Sequence, residues 1–360
     1  MTKRAAIILA GGKSHRFQNK SGEWLDKALA RLSGKPLLIH AVENVRDIAD
    51  EIVVCVNNEA RAAQYAKTLT EHSTRNVKLV VDEENSHIKG PNVAILTGLR
   101  SVKADCCFIL PCDMPLMQPK VADYMLNGAK SFRVVVPMWP SGRLETLVMA
   151  VERDSVLEIA DTLCQLRRPR SDDIIRGALN VLFVSPFGQI RALDTELKSF
   201  VNINSQDDLV RLQARQSQGS AAEDMQLNLG ALPLSKLQRL RNAAVMYRKS
   251  NFTEASTVFS SCANQLEEEK SFFWASLSRE NEGANLLQLS QRQSDPKYAA
   301  EKNIEGKNAL LAAVNNYALE AEEFEVNNLR FLAERAKANG AWCESWIQGK
   351  LDKRQRFPPP

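Results

Sequence analysis

Two short stretches of the chain carry residue types suited to holding a polyphosphate and a cation. The first is Leu9-Ala10-Gly11-Gly12, which closes an apolar run begun at Ala5 and is followed by Lys13 and Arg16. Glycine lacks a Cβ and reaches backbone angles closed to other residues, so the main chain at 11 and 12 can come close to a ligand. Free N–H groups in such a turn bind anions, and Lys13 and Arg16 add positive charge. The guest this suggests is a nucleoside triphosphate. The second stretch is Pro111-Cys112-Asp113-Met114-Pro115, directly after the apolar run Cys106-Cys107-Phe108-Ile109-Leu110. A carboxylate at the carboxyl end of a central strand lies where open α/β sheets bind ligands. Mg²⁺ needs hard oxygen ligands of this kind to stand beside a triphosphate. Each stretch also has a plainer reading, a tight glycine turn and an Asp that starts a turn. The spacings of the P-loop and of G-x-G-x-x-G are both absent.

Positioning these groups requires strands that stop together. Residues 5–9, 52–56, 77–81 and 106–110 are short apolar or β-branched runs, as expected of strands buried on both faces. Residues 134–137 and 181–184 add two more. Between them, residues 36–45, 59–70 and 155–166 show apolar side chains at helical spacing. Strand–helix alternation of this kind predicts a parallel sheet covered by helices.

The order of the motifs carries a resemblance. Leu9-Ala10-Gly11-Gly12-x-Ser14-x-Arg16-Phe17, then Asp26-Lys27-Ala28-Leu29, then Gly34-Lys35-Pro36-Leu37-Leu38, is similar to the signature of the MobA-like nucleotidyltransferases, related to molybdenum cofactor guanylyltransferase. The resemblance covers roughly the first 215 residues. It implies that the glycine-rich loop (Leu9, Ala10, Gly11, Gly12) wraps the nucleotide and that Lys27 contacts its phosphates. It implies nucleotide contacts from Asn57 at a strand end, from Asp82 with Glu83 and Glu84 as rivals, and from Gly90 in Gly90-Pro91-Asn92. Asp113 matches the metal-binding Asp of the family, and Lys27, Arg16 and Asp113 form the catalytic set. Glu145 falls in a segment that lines the acceptor side, and Arg143 beside it suits an acceptor phosphate. Asn202 and Asn204, in Asn202-Ile203-Asn204-Ser205, match a closing motif that offers an Asn oxygen to the metal or phosphate region. Ser205 and Asp208 are also spaced as a capping box. The chain departs from the family where Gln18 follows Phe17 and residues 18–25 lengthen the loop.

Composition excludes several other classes. The chain has 360 residues, 44% hydrophobic and 25% charged, with a net charge of +4. That charge is mild and gives no concentrated basic face for nucleic acid. No apolar run reaches the length of a membrane span, and the start is too short for a signal segment. The 7 cysteines are scattered without a C-x-x-C pair and the 4 histidines are dispersed, so neither a disulfide framework nor a zinc site is expected. A cytoplasmic protein is the expectation.

The second half differs in kind. Residues 216–232 are rich in small and polar types and read as a linker. Beyond them the β-branched runs stop, and residues 234–248, 253–269, 272–289, 299–322 and 324–337 read as amphipathic helices, with a joint at Asn339-Gly340. Ala243 to Ala255 faintly resembles a tetratricopeptide hairpin. Trp274, Trp342 and Trp346 are expected in the helical core. The basic cluster 166–170 reads as a solvated loop that could draw in a phosphorylated acceptor.

The expected architecture is a three-layer, Rossmann-like α/β nucleotidyltransferase domain over residues 1–215 with a mostly parallel sheet. A linker (216–232), an all-α domain (233–349) and a disordered tail (350–360) follow. The expected reaction is Mg²⁺-dependent transfer of a nucleoside monophosphate, GMP from GTP, to a phosphorylated acceptor such as molybdopterin, with release of pyrophosphate. The alternatives are a different acceptor (2-phospholactate, a sugar 1-phosphate, or molybdopterin cytidylylation) and a non-catalytic nucleotide-binding adaptor. The helical half offers a face for a protein partner; no nucleic acid and no membrane are expected.

Overall fold

The computed structural model describes residues 2–12, 17, 25–74, 76–82, 88–205, 207–212 and 222–350. The chain forms two compact units, Met1–Ala160 with Asn180–Asn228, and Asp161–Leu179 with Leu229–Pro360.

The first unit is built on strands β1 (Arg4–Leu9), β4 (Glu51–Val56), β5 (Val77–Val81), β6 (Cys106–Pro111), β7 (Val134–Pro137), β8 (Met149–Glu152), β9 (Asn180–Val184) and β10 (Met225–Asn228). Strands β2 (Arg31–Leu32) and β3 (Lys35–Pro36) form a separate small hairpin. The large sheet has the order β10-β9-β7-β8-β6-β1-β4-β5. Pairings β1–β4, β1–β6, β4–β5 and β7–β9 are parallel, while β8 and β10 run against their neighbours. The sheet is therefore mostly parallel.

Helices α1 (Leu37–Val45), α2 (Glu59–Glu71), α4 (Pro119–Gly128) and α7 (Gln189–Leu193) cover one face, where Ala6, Ile8, Val54 and Phe108 meet Leu38, Val42, Tyr65 and Met125 in one core. Helix α3 (Pro91–Ser101) covers the other face at close range. A Cβ on Gly98 would stand 2.3 Å from Ile7 Cγ2 and 3.1 Å from Cys55 Sγ, so only glycine fits there. Helix α5 (Arg153–Gln165) follows β8, and the short α8 (Asp208–Arg211) closes the motif at 202–208. The expected capping box is present. Ser205 N donates to Asp208 Oδ2 at 2.8 Å, and Asp208 N donates back to Ser205 Oγ at 3.3 Å.

The helical unit comprises α6 (Ser171–Ala178), α9 (Leu234–Arg248), α10 (Phe252–Glu268), α11 (Phe272–Arg292), α12 (Pro296–Val326) and α13 (Arg330–Ile347). Helices α11 and α12 cross at glycines. A Cβ on Gly283 would lie 2.8 Å from the Gly306 carbonyl oxygen, and one on Gly306 would lie 3.1 Å from that of Gly283. Trp274 and Trp342 are buried and Trp346 packs partly buried beside the latter, as expected. Among the described residues no helix is long and apolar enough to cross a membrane.

Four expectations need correction. The basic cluster 166–170 is not a solvated loop. Arg168 is buried, 3.2 Å from Asp173 and 3.5 Å from Glu280, so its charge is consumed inside the helical unit. Residues 161–179 cluster with the helices because all of α6 is buried and its Arg176 grips Glu320 with two bonds of 2.7 Å. Within the stretch read as a linker, Met225–Asn228 pairs antiparallel with β9. Asn339-Gly340 is no joint but lies within α13. A Cβ on Gly340 would make only ordinary contact with Tyr317 Cβ, at 3.5 Å, and the break falls at Asn328, where φ is +57°. Residues 213–221 and the tail 351–360 lie outside the described residues.

Candidate nucleotide and metal site

The sheet register brings the candidate residues to one edge. Leu9 pairs with Cys55 on one side and Pro111 on the other, and Val56 pairs with Val81. Gly11-Gly12, Asn57, Asp82 and Asp113, which follow these strands, thus emerge together at the carboxyl ends, where open α/β sheets take their ligands. The chain leaves β1 tightly. Ala10 N donates to the Cys55 carbonyl at 2.9 Å, and a Cβ on Gly11 would stand 3.3 Å from Asn57 N. A Cβ at Gly12 would meet nothing within 4 Å, so this glycine faces open space.

Lys27 occupies a 3₁₀ turn (Lys27–Leu29) capped by Asp26, whose Oδ1 accepts from Ala28 N at 3.0 Å. The buried Lys27 Nζ lies 2.6 Å from Asp113 Oδ2 and donates to Asn204 Oδ1 at 3.0 Å. Ile203 N donates to the Asp113 carbonyl at 2.9 Å, laying the 202–204 segment beside this strand end. Ile203 is buried while Asn202 and Asn204 are half-exposed, the alternation of an extended segment. The structure thus brings together Lys27, Asp113 and Asn204, residues separated by as many as 177 positions.

Two buried oxygens here, Asp113 Oδ1 and Asn202 Oδ1, have no hydrogen-bond partner among the described residues. A buried acceptor left unmade is costly, and hard oxygens of this type suit a divalent cation. No group of three or more His, Cys, Asp or Glu side chains converges among the described residues. One carboxylate with amide oxygens fits Mg²⁺, which is commonly held by one or two carboxylates plus substrate phosphates.

Arg61 and Tyr65 were not singled out by the sequence reading, yet they hold this corner in place. Tyr65 Oη donates to Asp26 Oδ1 at 2.9 Å, and Arg61 Nε lies 3.2 Å from Asp26 Oδ2. Arg61 Nη1 also donates to the Gly12 carbonyl at 3.1 Å and to Asn57 Oδ1 at 3.3 Å. Burial, with the neighbouring Asp26 carboxylate, pushes the Tyr65 hydroxyl well above its ordinary range and keeps it a donor. The signal was available: Arg61, Tyr65 and Leu69 recur every four residues on the buried face of α2, and an arginine on such a stripe needs an acceptor.

Asp82 is half-buried, and its Oδ1 has no hydrogen-bond partner among the described residues. Burial raises its carboxyl to about 6, against a lowering hydrogen bond from Thr97. Gly90 precedes α3, with Pro91 at its first position. Arg143 and Glu145 are engaged with each other, and Glu145 Oε1 also accepts from the Trp139 indole N–H at 2.7 Å. Trp139 is wedged edge-on against Phe187 and Phe200. Lys13, Ser14, Arg16, residues 18–24, Glu83 and Glu84 lie outside the described residues.

A glycine turn, a lysine–aspartate pair and open oxygens at the carboxyl edge of a mostly parallel sheet define the nucleotide-using α/β class. The comparisons narrow it further. Residues 6–177 match the MobA-like NTP transferase domain. A probable molybdenum cofactor guanylyltransferase of Pyrococcus horikoshii is 30% identical over 213 residues, 58% of this chain and 97% of its own length. One of the same name from Methanosarcina acetivorans is 28% identical over 207 residues, 57% of this chain and 88% of its own. Among solved structures, molybdopterin-guanine dinucleotide biosynthesis protein A of Archaeoglobus fulgidus is 21% identical and covers 58% of this chain and 96% of its own, with a TM-score of 0.47. The chain belongs to the MobA-like NTP transferase family and is a nucleotidyltransferase of that type.

Proposed function

We propose that the enzyme transfers GMP from GTP to a phosphorylated acceptor of the molybdopterin kind and releases pyrophosphate. The observation that carries this reading is Asp113, which gives one oxygen to Lys27 at 2.6 Å and keeps the other open beside the glycine turn. The names of the relatives support the base and the acceptor.

An acceptor phosphate oxygen attacks the α-phosphorus, the bond to the bridging oxygen breaks, and pyrophosphate leaves with the electron pair. No group on the enzyme needs to become covalently attached, so catalysis is alignment plus neutralisation of charge. Leu9, Ala10, Gly11 and Gly12 align the triphosphate, with Asn57, Asp82 and Gly90 toward the nucleoside. Lys27 neutralises phosphate charge, with Arg16 as its partner from the loop. Arg143 and Glu145 receive the acceptor. Asp113, with Asn202 and Asn204, would hold Mg²⁺, which when bound supplies positive charge to the phosphate oxygens.

Pyrophosphate release with Mg²⁺ and each nucleoside triphosphate in turn, with and without molybdopterin, tests the reading. Release should require GTP and molybdopterin together, and Asp113→Asn, assayed at a temperature where it is folded, should lower kcat by roughly 10²–10³. Full turnover by that variant would sink the assignment of the site. Tight GTP binding without release under any acceptor would sink the transfer reaction itself.

A further inference from the structure

The basic cluster 166–170 divides within the helical unit. Arg168 gives its charge to Asp173 and Glu280, whereas Arg167 lines a narrow recess. The recess lies where the carboxyl end of α5, α9, α11 and α13 meet, and all of its lining residues belong to the helical unit. Its walls include Arg167, Tyr247, Arg248, Gln288 and Trp346.

Two guanidiniums thus share one recess. Arg248 is half-buried, and its hydrogen-bond partners among the described residues are neutral. Its Nη1 donates to the Gln165 carbonyl at 3.3 Å, and its Nη2 donates to the Gln165 side-chain oxygen. Burial and the neighbouring Arg167 charge lower the Arg248 guanidinium from its ordinary range, as expected for a cation held beside another. The one carboxylate in the lining, Glu280, is buried and already engaged. It accepts from Tyr317 Oη at 2.7 Å and lies 3.5 Å from Arg168. The Tyr247 hydroxyl, the Gln288 amide and the Trp346 indole N–H have no hydrogen-bond partner among the described residues.

A guanidinium on the Gln165 carbonyl caps the end of α5, but capping needs one cation and gains nothing from a second. Like charges brought together cost free energy that an anion between them would offset. A guanidinium presents five N–H donors in a planar fork, and Arg248 spends two of its bonds on Gln165. The donors left over match an oxyanion that accepts several hydrogen bonds at once. We propose that this recess binds a phosphoryl group, as inorganic phosphate or as the phosphate of a small ester. Arg167 and Arg248 would hold its oxygens, with Tyr247, Gln288 and Trp346 as further donors. None of these residues belongs to the nucleotide site, and the proposal is independent of the reaction assigned to the first unit.

Tryptophan fluorescence tests it, because Trp346 walls the recess. Titration of the full-length chain with inorganic phosphate, and separately with glycerol 3-phosphate, should give a saturable change, and the tighter of the two names the source. Arg248→Met keeps most of the aliphatic stem and should weaken binding by roughly 10–100-fold. Arg167→Gly should do the same with folding intact, since φ at 167 is +59°, a conformation glycine favours. Lys27→Met, which disables the phosphate contact of the nucleotide site, should leave the response as it is. A wild-type chain with no saturable response to either probe overturns the proposal. So does unchanged affinity in Arg167→Gly or in folded Arg248→Met, and so does a response that Lys27→Met abolishes.

Discussion

In the nucleotidyltransferase unit Asp113 gives one oxygen to Lys27 and leaves the other without a partner, whereas in the helical unit Asp173 gives Oδ2 to Arg168 at 3.2 Å and Oδ1 to Arg176 at 2.9 Å. The Asp173 side chain is 2% exposed, whereas that of Asp113 is 22% exposed. Around Asp173 the charges close on themselves: Arg176 is bidentate on Glu320, and Tyr317 donates to Glu280 at 2.7 Å. Around Asp113, Oδ1 keeps no hydrogen-bond partner among the described residues. The contrast separates polar networks that organise a fold from those that await a ligand. A closed network has spent its bonding capacity on its own chain, and an open one keeps capacity for a guest.

The comparison breaks most easily at Arg176. Arg176→Ala leaves Glu320 without its bidentate partner in a site where both side chains are 1% exposed. Removing one member of a buried pair costs about 3–5 kcal/mol, to be read from urea unfolding of the helical transition. Arg176→Met with Glu320→Leu should recover most of that loss, since Asp173 keeps Arg168 and an apolar replacement is often neutral. A loss below about 1 kcal/mol for the single variant would mean that water reaches the cluster and that it is not closed.

A smaller effect is expected at Tyr65, which belongs to the open side. Tyr65→Phe keeps the ring and removes the hydroxyl that Asp26 accepts from. A hydrogen bond to a charged group is worth about 1.5–3 kcal/mol. Part of this should appear in unfolding and part in kcat, because Asp26 caps the turn that carries Lys27. If unfolding shifts while kcat and KM for the triphosphate stay at wild-type values, the Asp26 corner belongs with the closed networks, and the boundary drawn here moves.

Much of the open site was legible in sequence because local rules govern it. Apolar runs of strand length placed Leu9, Val56, Val81 and Leu110 at strand ends, and Gly11, Asn57, Asp82 and Asp113 follow closely. Ser205 and Asp208 announced their own cap. The closed network was not legible, since its members find partners far along the chain: Arg176 meets Glu320 across 144 residues. Short-range reading therefore took residues 166–170 for a solvated loop, although Arg168 within it is buried, and assigned 161–179 to the wrong half. Gly340 misled for a different reason: Asn-Gly is a common turn signal, yet the pair lies within α13, where an added Cβ would meet Tyr317 only at an ordinary 3.5 Å. Met225–Asn228, four residues with one buried side chain, carries too little periodicity to stand out from its polar surroundings.

The finest test of the contrast is the pH dependence of Asp82. Burial raises its carboxyl from an ordinary 3.8 to about 6, so the folded protein binds this proton more tightly than the unfolded chain does. Between these values the native state holds the extra proton, and stability falls as pH rises. Above about 6 the carboxylate is ionised in both states and the folded protein carries the whole burial penalty. Asp82→Asn removes the charge and should therefore stabilise the unit at pH 8. That gain should shrink as pH falls through 6 and vanish below 4, where wild-type Asp82 is neutral in either state. The same variant should bind nucleotide more weakly, since a group held at a cost to folding is one the ligand can use. A variant with no stability gain at pH 8 would place Asp82 among the satisfied carboxylates and remove it from the open site.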